Sequence, residues 1–323
     1  MNKFVAAALT LAFGCSAARA QQATNWPEQS VRMVVPFPAG GPADILARVV
    51  ADKLGDAWKQ PVVIENRPGG NTAVGAAHVA KSAPDGYTLF VVMDVTMVLN
   101  PLTMKSLPYD AEKDFTPISL LSKNTSLLMT RVEDGAKSVA ELIARGKANP
   151  GKLNFGAGII TTRLAAEFFN REVGIQAQYI PFQGSPPTVQ GLLNKSVDYI
   201  VDGAASSLPL IQAGKFRALA KTNNGPMVAL PELKSLAVEA HSPALDDIST
   251  WIGIVAPAGT PRAIVDKTAA AVAKVYADPA LIERLQKAGI NPFNDRPDEM
   301  AAFISSETKR WGKVVADTGI ELN

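Results

Sequence analysis

The chain has 323 residues, with 32 Lys and Arg against 30 Asp and Glu, two His and one Cys. Hydrophobic residues make up 47% and charged residues 19%, which is typical of a globular protein and unlike a disordered chain or a disulfide scaffold. The near-zero net charge argues against nucleic-acid binding, and the scarcity of His and Cys argues against transition metals and His-dependent triads. The length predicts about two domains.

The first twenty residues are interpreted as an export signal, so the mature protein is expected to be exported. Lys3 supplies the positive start, residues 4–14 the apolar run, and Ala18-Arg19-Ala20 the small-x-small cleavage pattern. Cleavage after Ala20 would remove two basic residues and Cys15, leaving 30 basic and 30 acidic side chains. Two alternatives stay open, a buried N-terminal helix and a lipidated Cys15.

Beyond residue 20, short β-rich runs alternate with helical patterns. Apolar residues at helical spacing, such as Leu46, Val50 and Leu54, predict helices between the runs, and Pro297 marks the start of the last helix. This alternation predicts an α/β architecture with mostly parallel sheets. The predicted strands are Val31–Val35, Val62–Ile64, Tyr87–Val92, Leu127–Thr130, Leu153–Phe155, Gln178–Ile180, Tyr199–Val201, Phe216–Leu219 and Trp251–Val255.

Two polar, proline-containing stretches, residues 101–117 and 223–247, are interpreted as surface excursions near domain boundaries. They suit a chain that leaves one domain, builds a second and returns. A tandem arrangement of two domains fits these stretches equally well.

Glycine-containing loops follow five of the predicted strands and lead into predicted helices. Glycine lets the backbone approach a ligand closely, and the start of a helix offers unpaired N–H groups and a positive dipole end. Because such loops lie beyond the carboxyl ends of strands in α/β sheets, several of them are expected to converge on a small anion. The loops are residues 36–44, 65–72, 156–163, 181–187 and 202–206.

Three charged residues in or beside these loops are candidates for ligand contact. Asp44 is expected to cap its helix, to contact the ligand, or both. Arg163 lies in the first turn of a helix, where a cation is unfavourable unless it pairs with a bound carboxylate; a solvated surface Arg is the alternative. Asp94 emerges at a strand end, where it could pair with Arg163, receive a cationic group or solvate a turn.

Catalytic and cofactor motifs are missing from the sequence. It contains no nucleotide P-loop, no complete GxGxxG, no GxSxG and no HExxH. We therefore expect no catalytic residues, metal or cofactor, although an exported hydrolase or isomerase remains an alternative.

The run Val34–Asp44 (VVPFPAGGPAD) resembles the first signature of the Bug receptors, the extracytoplasmic solute-binding proteins of tripartite tricarboxylate transporters. The similarity extends through essentially the whole mature chain. Further matching blocks are Glu65–Gly70, Pro84–Leu89, Leu107–Asp110, Lys113–Phe115, Lys137–Leu142, Asn149–Phe155, Ala213–Lys215 and Ala256–Pro261.

The resemblance implies a type II periplasmic-binding-protein fold, in which two α/β domains flank a ligand cleft. Domain one would comprise residues 26–125 and 249–323, and domain two residues 126–248. A monomer is expected that binds a small carboxylate (a dicarboxylate, an aromatic carboxylate or an amino acid) and delivers it to membrane permease subunits. A receptor that uses the same cleft to signal to a membrane partner is the alternative.

The resemblance also implies the residues that line the cleft. Small polar residues are common in the family where Asp94 stands, and His near Arg163, so these two positions leave the ligand's identity open. On the domain-one side the expected residues are Phe37, Gly40, Gly41, Asp44, Pro68, Gly69, Gly70, Asn71, Asp94 and Thr96. On the domain-two side they are Gly158, Ile160, Thr161, Thr162, Arg163, Gln183, Gly184, Ser185 and Asp202.

Overall fold

The structure, a computed structural model, describes residues 25–245 and 248–318. The predicted export signal, its cleavage point after Ala20 and the lipidation candidate Cys15 lie outside the described residues. Within the described ranges, no helix combines the length and apolar character that a membrane crossing requires.

Strands and helices alternate along most of the chain, as predicted. The first part contains β1 (Val31–Val35), α1 (Pro42–Trp58), β2 (Val62–Asn66), α2 (Ala73–Ala80), β3 (Thr88–Met93), a π-helical turn (Val95–Leu99), α3 (Asn100–Thr103) and β4 (Phe115–Arg131). The middle part contains α4 (Val139–Ala148), β5 (Leu153–Ala157), α5 (Ile160–Val173), β6 (Ala177–Pro181), α6 (Ser185–Leu193), β7 (Tyr199–Gly203), α7 (Ala204–Gln212) and β8 (Phe216–Lys221). The last part contains α8 (Leu236–Glu239), a 3-10 turn (Pro243–Leu245), β9 (Ser249–Pro257), α9 (Arg262–Tyr276), α10 (Pro279–Lys287) and α11 (Pro297–Thr318).

The strands lie in the order β2-β1-β3-β9-β4-β7-β5-β6, and β8 also pairs with β4. β1 is parallel to β2 and β3, and β5 is parallel to β6 and β7. The pairings of β9 with β3 and β4, and of β4 with β7 and β8, are antiparallel. The prediction of mostly parallel sheets is therefore wrong at the centre, where β4 and β9 run antiparallel to every strand they contact.

Strand β4 is longer than the sequence indicated, because its first part is polar. The prediction placed a strand only at Leu127–Thr130, but pairing with β9 begins at Phe115. Buried polar side chains interrupt the apolar run and find partners within the fold. The Ser119 hydroxyl donates to the carbonyl of Asp295 at 2.9 Å, and the Asn124 amide donates to the Ser122 hydroxyl at 2.8 Å.

Apolar cores lie on both sides of the central strands. The predicted stripe of α1 is confirmed, since Leu46, Val50 and Leu54 are fully buried against β1–β3 and β9. Each such leucine contributes roughly 1.5–3 kcal/mol of burial free energy. The predicted start of the last helix at Pro297 is also confirmed. Separate clusters around Phe169 and around Leu192 cover the sheet formed by β5–β8 and the end of β4.

The chain crosses between these cores at β4 and β9, where the sheet forks. Thr125 pairs directly with Ser249, but one residue farther along Thr222 is inserted between the strands. Its N–H donates to the carbonyl of Ser126 at 2.9 Å, and its carbonyl accepts from the N–H of Ile248 at 3.2 Å. Asn223 bridges the fork, because it accepts from the Thr125 hydroxyl and donates to the Ser249 hydroxyl.

Candidate functional site

Two adjoining cavities lie between the loops that follow the carboxyl ends of β1 and β2 on one side and of β5, β6 and β7 on the other. The outer cavity has a volume of about 180 Å³ and lies between the loops that follow β1, β2, β5 and β6. The inner cavity is smaller, about 40 Å³, and extends to the floor formed by β4 and β9. Phe37, Pro38 and Ile159 line both and form the partition between them.

The structure brings most of the predicted loops together at these cavities. The outer cavity is lined by the predicted residues Phe37, Pro68, Gly69, Gly70, Asn71, Gly158, Gln183 and Gly184. The inner cavity is lined by the predicted residues Phe37, Gly41, Thr162, Ser185 and Asp202. Seven predicted residues line neither cavity, and they are Gly40, Asp44, Asp94, Thr96, Ile160, Thr161 and Arg163.

Five helices begin at the cavities without a side chain capping their first N–H groups. Among the helices that begin elsewhere, α4 and α10 are capped by the side chains of Ser138 and Asp278, whereas α3, α8 and α9 have no side-chain cap. Uncapped helix starts offer a ligand the positive ends of helix dipoles and any unpaired backbone donors. At α2 the N–H groups of Ala73 and Val74 already donate to the carbonyls of Gly70 and Gly69. The N-cap residues of the five helices all line a cavity, and they are Gly41 of α1, Thr72 of α2, Ile159 of α5, Gly184 of α6 and Gly203 of α7.

The loop between β2 and α2 is held in a strained left-handed conformation. Gly69, Gly70, Asn71 and Thr72 all have positive φ, and the β-branched Thr72 at 78° is a clear outlier. Such strain persists only where surrounding contacts impose it, and it is common in binding loops.

Buried side chains behind this loop impose its conformation. The Thr96 hydroxyl donates to the Thr72 hydroxyl at 3.0 Å, and the Asn100 amide donates to the Asn71 carbonyl at 2.7 Å. Thr96 therefore supports the loop from behind and does not line the cleft. Its predicted place in the cleft is wrong because its side chain is turned into the protein and fully buried.

Asp44 supports the loop between β1 and α1. It accepts from the Gly40 N–H at 2.9 Å, from the Arg48 guanidinium and from the Asn66 amide at 2.8 Å. Burial alone would raise the pKa of Asp44, but the hydrogen bonds from Arg48, Gly40 and Asn66 outweigh it and hold the pKa below its ordinary value. The prediction that Asp44 is the N-cap is wrong, because Gly41 occupies that position and Asp44 reaches back to the N–H of Gly40.

Arg163 is engaged on the outer face of α5. Its Nε donates to Glu167 Oε1 at 2.7 Å, and its guanidinium lies 4.5 Å from the centre of the Tyr179 ring. The expectation of a carboxylate anchor at Arg163 does not match this placement, because Glu167 already supplies the anionic partner one helical turn away.

Two buried carboxyl groups accept hydroxyl hydrogen bonds near the cavities. Asp94, at the end of β3, accepts from Thr161 on α5, and its Oδ1 has no hydrogen-bond partner within the described residues. Asp202, on β7, accepts from Ser185 on α6. Burial raises the pKa of both Asp94 and Asp202 to about 7. Asp202 faces the inner cavity, whereas Asp94 joins β3 to α5 and does not pair with Arg163.

The loop after β1 packs against the two helices on the opposite wall. The Ser206 hydroxyl of α7 lies 3.4 Å from the carbonyl of Gly40, to which it donates. The approach is close enough that a Cβ at Gly184 would lie 2.9 Å from Pro38 Cδ, and one at Gly203 would lie 2.8 Å from Pro42 Cγ. The two walls of the cleft are therefore in contact.

The floor of the inner cavity was missed by sequence reasoning. Asn124, Ser126 and Thr250 lie on the central strands β4 and β9, and Met93 ends β3. They occupy no glycine loop, and only the pairing of β4 with β9 brings them together, so no local pattern marks them.

Comparison with known proteins identifies the family. Residues 46–320 match the family model described as the tripartite tricarboxylate transporter family receptor. The chain belongs to this family. The BugT protein of Bordetella pertussis is 32% identical over 303 residues, which are 93% of this chain and 92% of BugT. The predicted resemblance to the Bug receptors is thereby confirmed.

Solved structures of related binding proteins share the fold. An R. palustris protein with adipate has a TM-score of 0.88 and 32% identity, covering 92% of this chain and 99% of its own. MatC from Rhodopseudomonas palustris with bound malate has a TM-score of 0.81 and 30% identity, covering 90% of this chain and 100% of its own. The periplasmic-binding-protein fold expected from the sequence is confirmed for this receptor-family member.

Proposed function

We propose that this protein captures a small carboxylate in the cleft and delivers it to the membrane permease of a tripartite tricarboxylate-type transporter. Removal of residues 1–20 would release it into the periplasm, where it would act as a monomer that binds its ligand without reacting. Support for the ligand class comes from the family and from the two relatives with bound adipate and malate.

The observation that carries the proposal is the convergence of five uncapped helix starts on the cavities. No Lys, Arg or His is among the described residues that line either cavity. A carboxylate would therefore be held by backbone N–H groups and helix dipoles, and each charge-assisted hydrogen bond of this kind contributes about 1.5–3 kcal/mol.

We infer that the cleft opens and closes about β4 and β9, between residues 26–125 with 249–323 and residues 126–248. The fork at Thr222 and the separate cores on its two sides support this division. Ligand that contacts both walls would favour the closed state, because only that state provides both sets of N–H groups.

A thermal-shift screen of the mature chain tests the proposal. The panel contains monocarboxylates, dicarboxylates, aromatic carboxylates and amino acids, with matched alcohols and primary amides as uncharged controls. We expect saturable stabilisation by at least one carboxylate and none by its amide, because the amide lacks the anion that the N–H groups select. The absence of stabilisation by every carboxylate, or equal stabilisation by amides, would contradict it.

A further inference from the structure

The two cavities differ in the ionisable residues that line them. This difference indicates which chemical group each end of a bound ligand carries. No ionisable side chain is among the described residues that line the outer cavity, whose N-cap positions are Thr72, Ile159 and Gly184. In the inner cavity Asp202 is the one ionisable residue among the described lining residues. The outer cavity therefore suits an anion, and the inner cavity carries an acidic group of its own.

Asp202 lies in mainly apolar surroundings. Phe37, Met93, Ile252 and Ile290 line the same cavity, together with the polar floor residues Asn124, Ser126 and Thr250. The carboxyl group is buried, with 4% of the residue exposed, and it accepts a hydrogen bond from Ser185. A second carboxylate placed in this cavity would face the acidic group with no lining cation to offset the repulsion, and burial strengthens that repulsion.

We propose that the ligand is a monocarboxylate with an apolar body and a hydroxyl or amino group at its far end, which donates to Asp202. This inference rests on the proposed function, since it assumes that a carboxylate occupies the outer cavity. The apolar body would cross the partition formed by Phe37, Pro38 and Ile159 and lie among the apolar walls of the inner cavity. Asp202 thereby acts as a specificity-determining residue that selects against dicarboxylates.

The ionisation of Asp202 sets the pH at which this selection operates. Burial raises the pKa of Asp202 to about 7, so the carboxyl group repels a second carboxylate above pH 7, where it is ionised, and the affinities below are to be measured there. An ammonium or hydroxyl donor on the ligand would stabilise the ionised form, because an opposite charge or a donated hydrogen bond favours the carboxylate.

Calorimetry with four six-carbon chains tests the proposal on the mature protein. Caproate has no group at its far end, adipate a carboxylate, ε-hydroxycaproate a hydroxyl and ε-aminocaproate an ammonium. We expect the hydroxyl and ammonium compounds to bind at least about tenfold more tightly than caproate, the scale of one hydrogen bond to a charged group. Adipate is expected to bind more weakly than caproate.

The variant Asp202→Asn supplies the second measurement. It removes the negative charge while keeping the size of the side chain, so we expect adipate to gain affinity and ε-aminocaproate to lose it. The inference would be overturned if the wild type bound adipate more tightly than the hydroxyl and ammonium compounds. It would also be overturned if a folded Asp202→Asn variant showed the same order of ligand affinities as the wild type. If the variant does not fold, the order of the four affinities measured on the wild-type protein decides between these outcomes.

The two levels of the proposal fail in different ways. Binding of caproate and adipate with no preference for a terminal donor overturns only the role of Asp202 and leaves carboxylate capture standing. If no carboxylate of these four or of the broader panel binds, the proposed function fails and this inference fails with it.

Discussion

At the scale of single residues, the charged side chains near the cleft shape it from behind. Asp44 holds the loop after β1 through Gly40, Arg48 and Asn66, and Asp94 joins β3 to α5 through Thr161. Neither lines a cavity. The directions of the backbone N–H groups in these loops therefore depend on how firmly these side chains hold the loops.

Replacing Asp44 with Ala should weaken both stability and binding. The change leaves the Gly40 N–H without its acceptor and removes one of the two acceptors of the Asn66 amide, at a cost of about 1–3 kcal/mol in the free energy of unfolding. The loop would loosen, and carboxylate affinity should fall by about tenfold or more. Urea unfolding and calorimetry measure the two effects.

Arg163→Ala is the matched control for that measurement. Its guanidinium pairs with Glu167 and lines neither cavity, so we expect carboxylate affinity within about twofold of the wild type. A large loss of affinity in Arg163→Ala would restore the anchor role that the sequence suggested.

The contribution of Asp94 to the free energy of unfolding should fall as pH rises from about 4 to 7. Burial raises the pKa of Asp94 in the folded chain to about 7 from 3.8, with Glu307 as an additional unfavourable charge. Ionising Asp94 is therefore harder in the folded state, so its contribution is fully present below pH 4 and is lost as pH rises through 7.

Asp94→Asn should make this pH dependence shallower, because the substituted residue does not titrate. Urea unfolding at about pH 5 and pH 8 gives the slope for each protein. Asp202 continues to contribute in the variant, so the slope should shrink without vanishing. An identical slope in both proteins would show that Asp94 does not titrate as the structure implies.

At the scale of elements, the β1–α1 loop closely approaches α6 and α7, and under the proposed function this contact limits how far the cleft can close. The contact at Gly203 is the most useful probe, because its φ of −64° suits any residue and only space forbids a side chain. The neighbouring group is the Pro42 ring, which is rigid and cannot rotate away as a flexible side chain would.

Gly203→Ala should therefore obstruct closure and leave the fold intact. We expect carboxylate affinity to fall by about tenfold, with the ligand-bound radius of gyration from X-ray scattering larger than that of the wild type. Gly312→Ala in α11 is the control, because its Cβ would meet Leu102 at an ordinary 3.8 Å. Unchanged affinity in Gly203→Ala would show that closure does not need this contact.

At the scale of the whole molecule, the sequence predicted those features of the fold and of the site that depend on local residue patterns. The glycine loops, the apolar stripe of α1 and the start of α11 follow from spacing and turn chemistry, and the rule about strand ends brought the loops to one cleft. The first part of β4 was not predicted as a strand, because its buried polar side chains, such as Ser119, have hydrogen-bond partners only in the folded chain. The places of Thr96 and Arg163 depend in the same way on neighbours that packing supplies.

The whole molecule also explains how a chain with nearly equal numbers of acidic and basic residues can select an anion. Attraction cannot come from net charge, and no cationic side chain lines the described cavities. Under the proposed function, the attraction comes from the ends of five helices on the two walls, and anion binding is then coupled to closure of the cleft.

Calorimetry of the mature chain with the tightest carboxylate of the screen and with its primary amide tests this account most directly. The two molecules have nearly the same shape, and only the carboxylate carries the charge that backbone N–H groups and helix dipoles select. We predict saturable binding of one carboxylate per chain and a loss of at least about a hundredfold in affinity for the amide, the scale of two charge-assisted hydrogen bonds. Equal affinities for the two would contradict the account.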